Sequence, residues 1–95
     1  MTLTKREIER KLHGVPGWTL SADGKRIEQQ LFFRSFRDAM TLVAKVAALA
    51  EEHNHHPDID IRYSRVKLSL TTHDEGALTE RDFRLAKEIN GLLAG

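Results

Sequence analysis

Four of the chain's five histidines fall within one stretch, HNHHPDIDIRYSRVKLSLTTH, residues 53–73. Neutral imidazole is the commonest protein metal ligand, and its titration near neutrality lets it give or take a proton at working pH. Three readings compete: a metal site, an acid–base site, or polar surface. Spacing speaks against a built metal site. His53, His55 and His56 are not the i, i+4 pair of a zinc-binding helix, and no cysteine can add a thiolate. Adjacent His55 and His56 also diverge from any regular backbone. The chain has neither a G-x-S-x-G nucleophile motif nor a glycine-rich phosphate cradle. Proton transfer is the chemistry that suits this composition.

The elements that must position these residues follow from local pattern. Thr4 with Glu7 forms a capping-box pair and Leu3 with Ile8 a hydrophobic staple, so a short helix starts there and ends at Gly14 and Pro16. GWTLSADGKRIEQQLFFRSF reads as two strands around an Asp-Gly turn. Ser35 and Asp38 open a second helix that runs to about His53. Its apolar residues Phe36, Ala39, Met40, Val43, Val46, Ala47, Leu49 and Ala50 cover an arc wider than one sheet needs. That width predicts a homo-oligomer, dimer or tetramer.

After Pro57, alternation of Ile59, Ile61 and Tyr63 with charged residues predicts one strand, and Val66, Leu68 and Leu70 predict its partner. A turn at Ser64-Arg65 pairs Tyr63 with Val66, Ile61 with Leu68 and Ile59 with Leu70. Continued past Pro57, which cannot donate to a ladder, this register brings His56 beside His73 on the polar face. A last helix starts at Thr79, with Asp82 in capping-box position and Leu78 stapled to Phe83. The order α-β-β-α-β-β-α predicts one α+β domain over residues 1–95, an antiparallel four-stranded sheet with helices packed on one face.

Fifteen basic against fourteen acidic residues, interspersed, leave no electrostatic footprint for nucleic acid. No apolar run approaches membrane-spanning length and the first residues have no signal-peptide core, so a cytoplasmic protein without a membrane partner is expected.

At this point a family resemblance emerges. The chain resembles the pterin-4a-carbinolamine dehydratases, whose pattern is an acidic residue, three positions, His-His-Pro, an aromatic, a later histidine and an aspartate. Here the pattern reads Glu51, His55-His56-Pro57, Tyr63, His73 and Asp82, flanked by LFFRSFRDAM and TTHDEGALTERDF. Ala77 departs from it, where the family often has a second glycine. The resemblance implies dehydration of 4a-hydroxytetrahydropterin to quinonoid dihydropterin, which recycles the cofactor of aromatic amino-acid hydroxylases. It implies His55, His56 and His73 as catalytic residues, with no metal and no redox cofactor. Glu51 either orients a histidine or is a solvated carboxylate. Asp82 is either an active-site group or only a helix cap. Trp18, the sole tryptophan, is a candidate to stack on the pterin and equally a core residue. His53 and His13 lie outside the pattern and are expected at the surface. Some animal members of the family also serve as dimerisation cofactors of a transcription factor, so a protein-binding module is the alternative function.

Overall fold

The computed structural model describes residues 1–95. Its elements are α1 (Lys5–Leu12), β1 (Thr19–Leu20), β2 (Ile27–Phe32), α2 (Phe36–His53), β3 (Asp58–Arg62), β4 (Arg65–Leu70) and α3 (Glu80–Ala94). This is the expected α+β order. The four strands form one antiparallel sheet in the order β1-β2-β4-β3.

The caps do what their side chains dictate. Thr4 Oγ1 accepts from the Glu7 amide at 3.2 Å while Glu7 Oε1 accepts from the Thr4 amide at 2.8 Å. The Thr4 hydrogen bonds hold the Glu7 carboxyl below its ordinary range. Ser35 caps α2 through Asp38, and Asn54 closes it in the left-handed conformation at φ 50°. That αL residue leaves the helix abruptly and delivers His55 and His56 into the connection to β3. The β1–β2 reversal is wider than a tight Asp-Gly turn. It runs from Ser21 to Arg26, and Asp23 accepts from the Ser21 hydroxyl and the Lys25 amide.

Alternation sorts the sheet into two faces. Ile27, Val66, Leu68 and Leu70 are fully buried and join Val46, Leu85, Ala86 and Ile89 in one core. The opposite face carries Glu28, Asp58, Asp60, Arg62, Arg65 and Lys67, where Lys67 pairs with Glu28 across strands and Arg62 with Asp60 along β3. The sheet's inner face therefore belongs to the helices.

The hairpin register differs from the sequence expectation by two residues. Arg62 pairs with Arg65, Ile61 with Val66, Ile59 with Leu68 and Asp58 with Ser69. The turn is Tyr63-Ser64, with Tyr63 at φ 55°, rather than Ser64-Arg65. A shift of two leaves every side chain on its expected face, so a period-2 pattern cannot detect it. Its consequences are local. Tyr63 leaves the ladder and is 74% exposed, and Ile61, on the uncovered edge strand, is 39% exposed. The extrapolated neighbours also change: continued past Asp58, the register sets His55 across from Thr72 instead of His56 across from His73.

Candidate active site

The connection after α2 and the segment after β4 meet at the open end of the hairpin, and α3 begins there too. His55 is buried, with its backbone amide donating to Ala50 O at 3.0 Å. Its Nε2 lies 2.6 Å from Asp82 Oδ1. Asp82 is completely buried, and its other oxygen accepts from Thr72 Oγ1 at 2.8 Å and from the Thr79 amide at 2.9 Å. The carboxylate is therefore both the capping-box acid of α3 and the partner of His55. The helix-cap reading of Asp82 holds, and the same carboxylate also contacts His55.

The direction of this pair has a chemical consequence. A carboxylate can only accept, so Nε2 carries the hydrogen and Nδ1 carries the lone pair of the neutral ring. Nδ1 makes no hydrogen bond within the protein, and no buried side-chain nitrogen or oxygen is left without a partner. Nδ1 is thus the ring atom that remains open. A buried carboxylate fixing one nitrogen of an imidazole so that the other can accept a proton is the arrangement of a positioned base.

His56 stands in a different environment. Its Nε2 lies 2.6 Å from Glu51 Oε2, one helical turn back at the end of α2. The side chains are 56% and 77% exposed, so water screens this pair. Glu51 is thus a solvated carboxylate that also contacts a histidine.

His73 follows Thr72 directly and starts the loop to α3. The loop turns back on itself: Thr72 N–H donates to Ala77 O at 3.1 Å, and Gly76 N–H to Thr72 O at 2.9 Å, with Gly76 at φ 67°. His73 is exposed and makes no hydrogen bond to either of the other two histidines. The structure thus joins His55 with Asp82 and His56 with Glu51, and His73 follows Thr72, whose hydroxyl donates to Asp82. The pairing of His56 with His73 that the sequence register predicts is not formed, because the ladder is shifted by two residues.

Trp18 is 4% exposed within the core, and its indole N–H donates to Asn90 Oδ1 at 3.0 Å. No open face remains for stacking, so its role is packing. His53 is not a free surface residue. It is half-buried, with Nε2 3.7 Å from Glu88 on α3. Thr72 and Thr79 are the residues that sequence reasoning passed over as site members. Thr79 was legible only as a cap, and Thr72 becomes visible once the register sets it across from His55.

No three or more His, Asp or Glu side chains converge in the way that a metal ion would require. A cavity of about 260 Å³, lined by Met1, Thr72, Glu75, Thr79, Glu80 and Arg81, opens against the threonine pair. No helix is long and apolar enough to cross a membrane.

Comparison with known proteins gives the family and the fold. Residues 1–92 match the family model described as pterin 4 alpha carbinolamine dehydratase. A protein of Acidobacterium capsulatum assigned as a pterin-4-alpha-carbinolamine dehydratase is 54% identical over 91 residues, 96% of this chain and 97% of its own. A Roseiflexus protein with the same assignment is 47% identical and covers 96% of each chain. Among solved structures, a transcriptional coactivator/pterin dehydratase from Brucella melitensis superposes with a TM-score of 0.91 at 32% identity, over 96% of this chain and 97% of that one. A pterin dehydratase-like RuBisCO assembly factor of the alpha-carboxysome shares the fold, with a TM-score of 0.69 at 21% identity over 84% of this chain and 93% of that one.

Proposed function

The chain belongs to the pterin 4 alpha carbinolamine dehydratase family, and on that premise we propose that it dehydrates 4a-hydroxytetrahydropterin by histidine acid–base catalysis. The reaction asks for two proton movements. The N5 hydrogen of the ring must be taken by a base, and the 4a-hydroxyl must receive a proton to leave as water. The product is quinonoid dihydropterin. Both movements fall within the range of imidazoles poised near neutrality.

The observation that carries this reading is the His55–Asp82 pair, a buried imidazole with one nitrogen held by a carboxylate and the other open. His55 is thereby suited to accept. His56 and His73, both exposed, supply further imidazoles from the same end of the hairpin. Neither proton movement calls for a metal or a redox cofactor. The test is direct. Chemically generated 4a-hydroxytetrahydropterin should lose water faster with the protein than without it, followed by the absorbance of the quinonoid product. A rate equal to the uncatalysed one would remove the enzymatic reading.

A homo-oligomer is part of the same proposal. Along α2, Phe36, Ala44 and Ala47 are exposed, beside Met40 and Val43, which are half-buried at the edge of the core, a stripe at helical spacing. A second copy offers the same stripe in return. Sedimentation at micromolar concentration should give a dimer or tetramer, and a monomer alone would refute the assembly. The alternative function, a protein-binding module, draws on the description of the Brucella protein as a transcriptional coactivator/pterin dehydratase and on this same stripe. It predicts binding that survives loss of the histidines, whereas the dehydratase reading predicts activity that does not.

A further inference from the structure

We infer that Thr72, hydrogen-bonded to Thr79, is a positioning residue that holds both the His55 ring and the loop bearing His73; this rests on the acid–base reading above. The inference follows from counting hydrogens. Thr72 Oγ1 lies 2.8 Å from Asp82 Oδ2 and 2.7 Å from Thr79 Oγ1. A hydroxyl has one hydrogen and a carboxylate has none to give. Thr72 therefore donates to Asp82, and Thr79 must donate to Thr72. Asp82 Oδ2 also accepts the Thr79 amide at 2.9 Å, while Thr79 Oγ1 accepts the Arg81 amide at 3.3 Å. Every hydrogen has one destination.

Two consequences meet at this point. With Oδ2 held by two donors, Asp82 keeps Oδ1 turned to His55 Nε2 at 2.6 Å, which fixes the orientation of the ring and leaves Nδ1 open. The same two threonines also flank the segment 73–78, so their mutual bond clamps the base of the loop that His73 begins. Thr72 is 0% and Thr79 5% exposed, so water does not compete for these bonds. A single hydroxyl thus ties a buried base to a loop that carries a second histidine.

The test compares Thr72→Val, Thr72→Ala and Thr72→Ser in the full chain. The measurements are dehydration kinetics, thermal melting and ¹⁵N NMR of the His55 ring. Valine conserves shape and alanine avoids any overpacking, so at least one folded variant without the hydroxyl is expected. In that variant kcat should fall roughly tenfold or more, the worth of one charge-assisted hydrogen bond, with KM within about twofold. The His55 Nε2–H should exchange with water faster, because the carboxylate that accepts it has lost one of its anchoring donors. Serine should restore both the rate and the slow exchange. Unchanged exchange in a folded valine or alanine variant overturns the inference, whatever the rate does. So does a serine variant that behaves like alanine. If wild-type protein fails to dehydrate the pterin, the acid–base reading fails by itself, and the exchange measurement still decides whether Thr72 positions His55.

Discussion

Asp82→Asn is expected to cut the dehydration rate by up to about 10⁴-fold while the fold survives, the scale seen when the carboxylate of a Ser-His-Asp triad becomes an amide. The amide has one accepting and one donating end. Thr72 Oγ1 and the Thr79 amide both donate to Oδ2, so the amide oxygen must take that place. The NH₂ group is then left facing His55 Nε2, where Oδ1 accepted at 2.6 Å. Two donors cannot face each other, so the ring must carry its hydrogen on Nδ1 instead. The atom that was open to accept a proton becomes a donor. The capping hydrogen bonds of α3 survive, since the amide oxygen still accepts them. The loss of one charge-assisted bond should cost about 1.5–3 kcal/mol of stability, read from denaturant unfolding. A kcat near that of the wild type would show that the tautomer of His55 does not matter to the reaction.

The accuracy of the sequence reading differs from residue to residue for physical reasons. Thr4, Ser35 and Thr79 announced three helix starts because a cap is a local event, decided within four residues by a side-chain oxygen and a free amide. The end of α2 at His53 was equally legible, because Pro57 forbids its continuation. Register was a harder problem. Alternation determines which face Ile59 and Ile61 occupy, and it is silent on which residues they face, because any even shift gives the same pattern. The turn decided that question, and Tyr63 in a left-handed conformation is not a residue that turn chemistry anticipates.

The candidate site shows the same division. Glu51 and His56 are five residues apart around a helix end, so their pairing is nearly local. His55 and Asp82 are twenty-seven residues apart and meet only because β4 and the loop after it fold α3 back onto the hairpin. Asp82 was readable as a cap from its distance to Thr79 and as an active-site candidate by family resemblance, but its contact with His55 was not legible. Trp18 illustrates the opposite error risk. A lone tryptophan draws attention as a binding platform, yet its N–H already has Asn90 and its ring already has the core. Thr72 gave no signal by itself, since its importance comes from what the register sets across from it.

His56→Ala is expected to slow dehydration by about 10²–10⁴-fold, the usual contribution of a general acid or base. The variant should fold normally, because the side chain is 56% exposed and its only polar partner is Glu51. Glu51→Gln provides the internal contrast. The exposed pair is screened by water and worth about 0–1 kcal/mol, so its loss should change the rate by no more than about fivefold. Asp82 and Glu51 touch equivalent atoms of adjacent histidines at the same distance, and burial alone should make their replacements differ by orders of magnitude. His53→Ala, which removes a half-buried contact to Glu88, should affect stability slightly and the rate little. Treatment with a chelator should leave the rate unchanged, and activity lost to a chelator and restored by zinc or nickel would replace the acid–base mechanism with a metal-dependent one. If instead Glu51→Gln proved as damaging as His56→Ala, the exposed carboxylate would itself have to touch the pterin, and His56 would lose its place as the proton carrier.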